Sequence, residues 1–383
     1  MHINDLLQIA VTSGASDLHL KVGSYPMMRV SGTLVVASEE KRLDRADTEA
    51  MAGLLFSPEQ RDKFRHSQEV DLAYSIPGIG RFRVNVFQQR GTVGLVLRVI
   101  PMRVRTLDEL GLPPVLKRIA SEERGLVLVT GTTGSGKSTT LAAMIDYINT
   151  TRAAHIMTVE DPIEYLHRDH HSIVNQREVL VDTQSFSKAL RSALRQDPDV
   201  ILVGEMRDHE TVETALLAAE TGHLVFSTLH TLDATETVNR IIAVFPPHQQ
   251  RQVRIQLAGV LKGAVAQRLL PRADGAGRVP AVEVMITTGF IRDCIVDKDR
   301  TAHIHGAIAA GTSQYGMQTF DQSIFTLYQQ GFVTLDEALR WASNVDEFKL
   351  KVQGISTTSD LALDEMARTP NSSDNAHITR FGG

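Results

Sequence analysis

Eight residues, Gly131-Thr132-Thr133-Gly134-Ser135-Gly136-Lys137-Ser138, have the spacing of a phosphate-binding loop. An apolar run, Gly125–Thr130, precedes them, and a helical stretch from Ser138 to Asn149 follows, which is the strand-loop-helix context this motif requires. The three glycines let the backbone curl so that its N–H groups converge on phosphate oxygens, and the helix N-terminus adds its positive dipole end. In such a loop Lys137 reaches the β- and γ-phosphates of ATP, Ser138 offers its hydroxyl to Mg²⁺, and Thr139 completes the set in the first helical turn.

Three more polar clusters stand beyond apolar runs, where open α/β sheets place their ligands. Ile156–Val159 leads into Glu160-Asp161-Pro162-Ile163-Glu164. A carboxylate there has the chemistry to align a water on the γ-phosphate; Glu164 is the first choice and Glu160 the second. Asp161-Pro162 also suits the start of a helix, with Asp161 as its cap. Val200–Val203 leads into Gly204-Glu205, where Glu205 stands in the place of a Walker B acid and would orient water on Mg²⁺. Thr221–His230 brackets a further apolar run with His223 and His230. A neutral histidine past a strand's C-terminal end can hydrogen-bond a phosphate or a catalytic carboxylate, which favours His230. His167, His170 and His171 lack a partner pattern for a metal and are expected on a solvated face.

The elements that position these residues alternate in type. Ile3, Leu6, Leu7 and Ala10 fall at helical spacing, and strand-like runs follow at Asp17–Val22, Met27–Val30, Thr33–Val36, Arg81–Gln88 and Val93–Ile100. This pattern describes a small α+β domain over residues 1–101, and a linker is expected over 102–124, around Leu110-Gly111-Leu112-Pro113-Pro114. Leu126–Thr130, His155–Val159, Val200–Val203 and Leu224–Thr228 then read as buried parallel strands, with helices at Phe186–Arg195 and Glu210–Thr221. Beyond Pro246-Pro247 the pattern is helical: Val253, Leu257, Val260, Leu261, Ala264 and Val265 share a face, and Phe320–Gln330 and Leu335–Trp341 are further helices. An α/β domain thus covers 125–350, and residues 351–383, poor in anything to bury, form a tail expected to be largely disordered.

Composition narrows the function classes. With 383 residues and 42% hydrophobic content the chain is ordinary globular material for two or three domains. Forty Lys and Arg against 45 Asp and Glu give a net charge of -5, which argues against a nucleic-acid track. Cys294 is the single cysteine, excluding an intramolecular disulfide and a four-cysteine zinc site. No run of about 18 apolar residues predicts a membrane span, and Met1–Asp5 lacks the basic start of a signal peptide, so a cytoplasmic protein is expected.

Taken together, the phosphate loop, the Glu160–Glu164 acidic box, Gly204-Glu205-Met206-Arg207-Asp208 and the Thr221–His230 box resemble the secretion ATPase superfamily. Within it the chain is similar to the type IV pilus retraction ATPases, the PilT family, over about residues 1–350, starting with Gly14–His19 and Gly80–Asn85. The resemblance implies a RecA-like P-loop ATPase domain preceded by a small PAS-like α+β domain, assembled as a homohexamer. It implies nucleotide bound between the two domains, with Arg83 and Arg98 as contacting fingers and Arg207 and Arg240 in the nucleotide-binding set. It also implies work on an inner-membrane platform protein at the cytoplasmic face, beside a paralogous ATPase. Extension and secretion relatives carry additional N-terminal domains and a zinc insert, which favours retraction here. Retraction enzymes typically carry Ala-Ile-Arg-Asn-Leu-Ile-Arg-Glu; the matching stretch is Phe290-Ile291-Arg292-Asp293-Cys294-Ile295-Val296-Asp297. This departure bears on coupling to retraction rather than on hydrolysis.

Overall fold

The computed structural model describes residues 2–30, 32–101 and 103–355, so the tail expected from 351 onward lies, beyond residue 355, outside the described residues. The chain forms two compact units. The first gathers Met1–Val104, Glu160–Asp169 and Gln176–Ser185; the second gathers Arg105–Val159, His170–Asn175 and the chain from Phe186.

The first unit is built on β1 (Asp17–Leu20), β2 (Met27–Val30), β3 (Thr33–Val36), β4 (Glu69–Ile76), β5 (Gly80–Gln89) and β6 (Thr92–Ile100), in the order β3-β2-β1-β6-β5-β4. Every neighbouring pair is antiparallel. The β5–β6 hairpin closes through Arg90 and Gly91, both at positive φ (48° and 72°), which matches the twist of a two-residue turn. Along β5, buried Phe82, Val84 and Val86 alternate with more exposed Arg81, Arg83 and Asn85, so one face packs and the other carries charge. The helix Ile3–Thr12 buries Ile3, Leu6, Leu7 and Ala10 against that core. Helices Arg45–Leu55 and Pro58–Ser67 each start with a capping box, Asp44 with Asp47 and Ser57 with Gln60.

The second unit holds β7 (Gly125–Thr130), β8 (His155–Glu160), β9 (Ile173–Glu178), β10 (Val200–Val203), β11 (Leu224–Leu229), β12 (Leu261–Pro271) and β13 (Arg278–Ile286), ordered β13-β12-β7-β11-β10-β8-β9; the last residue of β8 and the end of β9 count with the first unit. Strands β12, β7, β11, β10 and β8 run parallel, and β13 is antiparallel to β12. The fold is α/β with mixed strand directions. Leu126, Leu128, Ile201, Val203 and Val225 enter one apolar cluster, while Val127, Val129, Val200, Leu202 and Phe226 enter another. Alternate residues of the same strands feed two cores, so both faces of the sheet are covered.

Three expectations need correction. The apolar face from Val253 to Val265 is not one helix: a helix occupies Gln250–Val260 and β12 begins at Leu261. A strand buried on both faces is nearly continuous in apolar residues, and a short stretch of it extends a helical pattern without a break. Gly263 marks the change, since a Cβ there would lie 2.9 Å from the Met285 carbonyl oxygen of β13. The stretch read as a linker packs into the second unit from Arg105 onward, with Leu107, Leu112, Leu116 and Ile119 buried and a helix at Val115–Ala120. Finally, no helix follows Asp161-Pro162; among the described residues the next regular element is β9. Side chains take the place of helical bonds there: Glu178 accepts from the Ile163 N–H, Glu160 from that of Glu164 and Gln176 from that of His167. No helix among the described residues is long and apolar enough to cross a membrane.

Candidate active site

The fully buried strand β7 delivers the chain into Gly131–Gly136, and the 15-residue helix Lys137–Thr151 carries it away. Gly131 and Gly136 sit at φ 140° and 94°. A Cβ on Gly131 would come within 2.4 Å of the Gln267 carbonyl oxygen, and one on Gly136 within 2.7 Å of the Gln267 amide nitrogen. Both glycines are favoured by their left-handed conformation, and Gly131 is required by close approach to backbone as well.

Lys137 is 8% exposed, and its Nζ donates to the carbonyls of Gly131 at 2.8 Å and Thr132 at 2.9 Å. Burial pushes its pKa down, and the charge of Glu205 opposes that shift. The Ser135 hydroxyl is buried with no hydrogen-bond partner among the described residues. A curled loop, a buried cation hydrogen-bonded to neutral carbonyls and an orphaned hydroxyl together fit a phosphate chain.

Glu205 lies two residues past β10, and His230 directly follows β11, so adjacent parallel strands bring the two together. One Glu205 oxygen takes Arg207 Nη2 at 2.7 Å and the other faces His230 Nε2 at 3.2 Å. Burial works against the charge on Glu205, but the Arg207 hydrogen bond and the neighbouring His230 and Arg207 charges outweigh it and hold the carboxyl below its ordinary value. Thr228 fixes the same corner by donating its hydroxyl to the Gly204 carbonyl at 2.6 Å.

A family model for type II/IV secretion system proteins matches residues 1–340. The type IV pilus retraction ATPase PilT of Pseudomonas aeruginosa is 47% identical over 91% of this chain and all of that protein. The chain belongs to the PilT family of type IV pilus retraction ATPases. The type IV pilus ATPase PilU of the same organism, 42% identical over 92% of each chain, is also similar. A crystal structure of the pilus retraction motor PilT with bound ADP superposes with a TM-score of 0.83 at 47% identity, covering 91% of this chain and 98% of that one.

The remaining candidates of this PilT-family chain are placed as follows. Thr132, Thr133 and Gly134 are exposed on the loop; in the first turn of the helix Lys137–Thr151, Ser138 is exposed and Thr139 half-buried. Glu160 ends β8, and its carboxylate receives the Gln176 amide at 3.2 Å and the exposed Glu164's N–H at 3.3 Å. Arg83 and Arg98 are direct cross-strand partners on β5 and β6, with Arg98 bonded to Asp17 at 2.9 Å. Arg240 is exposed in the last turn of the helix Ala234–Ala243, and no described contact brings it to the loop. His223 precedes β11, and its ring faces the Ala218 carbonyl at 2.9 Å, so it caps the helix His209–Glu220 instead of joining His230. His170 and His171 are exposed, but His167 is not on a solvated face: its Nδ1 is buried and unpartnered among the described residues, and burial pushes its pKa down to about 4. No cluster of His, Cys, Asp and Glu suited to a metal occurs among the described residues.

Sequence reasoning missed Gln267. It is 3% exposed on β12, accepts the Thr140 hydroxyl at 2.7 Å and touches both ends of the phosphate loop. The signal was an amide following the apolar stretch Gly263–Ala266.

Proposed function

We propose that this chain is the subunit of a homohexameric, Mg²⁺-dependent ATPase that powers type IV pilus retraction. The observation that carries this reading is the buried Lys137, with no carboxylate in ion-pair contact among the described residues and its ammonium parked on the carbonyls of its own loop. Its ammonium is poised to exchange two neutral acceptors for the β- and γ-phosphates of ATP, with the loop N–H groups and Ser135, Ser138 and Thr139 around them. Ser138 and Glu205 would hold Mg²⁺, which supplies charge neutralisation for the departing phosphate. Glu164 aligns the attacking water, with Glu160 beside it, and His230 reads the occupancy of the site through its contact with Glu205. Arg83 and Arg98 act as fingers on the nucleotide of a neighbouring subunit, a role that supplies roughly 10³–10⁵ in rate in phosphoryl transfer; Arg207 and Arg240 complete the nucleotide-binding set.

In this reading the first unit is a PAS-like domain and the second a RecA-like domain. The ring works in the cytoplasm on an inner-membrane platform protein, with no nucleic acid. A second reading, an accessory paralogue, is favoured by the likeness to PilU and by the departure at Phe290–Asp297.

The test is steady-state ATPase activity and sedimentation of the purified protein, wild type beside Lys137→Ala. Mg²⁺-dependent hydrolysis by a six-subunit particle, abolished in the variant, is expected. A monomer without turnover contradicts the proposal.

A further inference from the structure

In the first unit, Arg81 of β5 reaches Glu178 at the end of β9, with Nη2 to Oε2 at 2.9 Å and side chains only 19% and 10% exposed. The same Oε2 accepts the backbone N–H of Ile163 at 3.3 Å, one residue before Glu164. Gln176, two residues earlier on β9 and therefore on the same face, grips the other side of the segment. Its amide donates to the Glu160 carboxylate at 3.2 Å and to the Tyr165 carbonyl at 2.8 Å, and its carbonyl accepts from the His167 N–H at 2.8 Å. The Glu178 backbone is itself fixed, its N–H donating to Asp182 at 2.8 Å. The Leu166 N–H reaches the Pro101 carbonyl just past β6. Segment 160–167 has no helix or strand of its own beyond Glu160, so these bonds define its path.

We infer that Arg81 and Glu178 are positioning residues for hydrolysis: their ion pair sets the backbone from which Glu164 projects and ties it to the sheet of the first unit. The inference rests on the reading of Glu164 as the water-aligning carboxylate. Arg81 suits the task better than Arg83, its neighbour two residues along β5, because Arg83 is exposed while Arg81 is half-buried, with its Nε bonded to nothing among the described residues. A guanidinium so enclosed has Glu178 as its ionic partner, and a shared carboxylate oxygen makes the pair and the Ile163 bond one unit. Lys137 and its loop belong to the second unit, so nucleotide affinity and water alignment are separable.

The experiment measures kcat and the Kd for a fluorescent ADP on the full-length ring for Arg81→Ala, Glu178→Ala, the double variant and Glu164→Ala. Each single variant is expected to lose about 10- to 100-fold in kcat, the range a misplacement of about 1 Å produces, with Kd within about 2-fold of wild type. The double variant should be no slower than the slower single, because the two act as one unit. Unchanged kcat, a parallel loss of affinity, or additive losses overturn the inference. Glu164→Ala separates the layers: if it retains full turnover, the reading of Glu164 falls, whereas if it alone is inactive only the positioning role falls. Should the alanine variants fail to fold, Arg81→Met and Glu178→Gln, which remove the ion pair at similar size, are measured instead with the same expected split.

Discussion

Thr140, in the first turn after the phosphate loop, donates its hydroxyl to the side-chain carbonyl of Gln267 at 2.7 Å, with both residues almost fully buried. The bond spans 127 residues of sequence and fastens the helix Lys137–Thr151 to β12. Replacing Gln267 by Ala leaves a buried hydroxyl without its acceptor and removes the amide packed on Gly136. The expected cost is about 1–3 kcal/mol of stability, with weaker ADP binding because the loop loses its wall. Urea unfolding and fluorescent-nucleotide titration check both; an unchanged Kd shows that β12 does not shape the loop.

Glycines of one loop should differ in their tolerance. Gly134 has φ 79° but open space around a would-be Cβ, whereas Gly131 has φ 140° and backbone oxygen 2.4 Å away. Gly134→Ala is expected to cost about 1–2 kcal/mol for its left-handed conformation alone. Gly131→Ala must also displace β12, so it should destabilise more and abolish ADP binding. Thermal denaturation with and without ADP reads the order directly, and equal effects would remove the role given to the Gln267 carbonyl.

Glu283 sets a pH dependence. It is 2% exposed on β13; burial pushes its carboxyl up to about 7, the bond from the Ala234 N–H at 2.8 Å pulls partly against that, and Asp233 adds to the rise. A group with a raised folded pKa contributes stability that is full below its unfolded value near 4.5 and is lost as pH rises to about 7. The loss amounts to about 3 kcal/mol. Glu283→Gln keeps an acceptor for Ala234 without the charge. It should therefore be the more stable protein at pH 8, with the advantage vanishing as pH falls below about 4.5. A difference between the two that does not vary with pH contradicts this.

His167 works in the opposite direction. Its pKa is depressed to about 4, so the neutral ring contributes stability above the ordinary histidine value of 6.5, and that contribution is lost as pH falls toward 4. His167→Phe should flatten the acid limb of a stability profile between pH 6.5 and 4, measured by urea midpoints. An unchanged acid limb places the loss elsewhere.

Much of this molecule is legible in its sequence, for reasons that also mark the limits. The phosphate loop, Glu205 and His230 stand at the ends of β7, β10 and β11, whose runs are apolar because both sheet faces are covered. The same doubly buried character hid β12, whose apolar residues continue the pattern of the preceding helix. The Asp161-Pro162 pair looked like a helix start, yet Gln176 and Glu178 hold the following backbone from a distance that no local pattern records. Arg81 carries no local sign of its role either, since its burial and its partner Glu178 depend on a residue almost a hundred positions away. The polarity of its neighbours predicts a solvated face for His167, yet its own Nδ1 is buried.

The most direct measurement of the central claim is pilus retraction in a strain lacking this protein, complemented with wild type or with Lys137→Ala. The account predicts that wild type restores retraction and that Lys137→Ala, which cannot hold the phosphates, restores none. A wild-type ring that hydrolyses ATP in the purified state but restores no retraction contradicts it. That result would assign the chain to extension or to an accessory role, with Phe290–Asp297 as the first stretch to exchange.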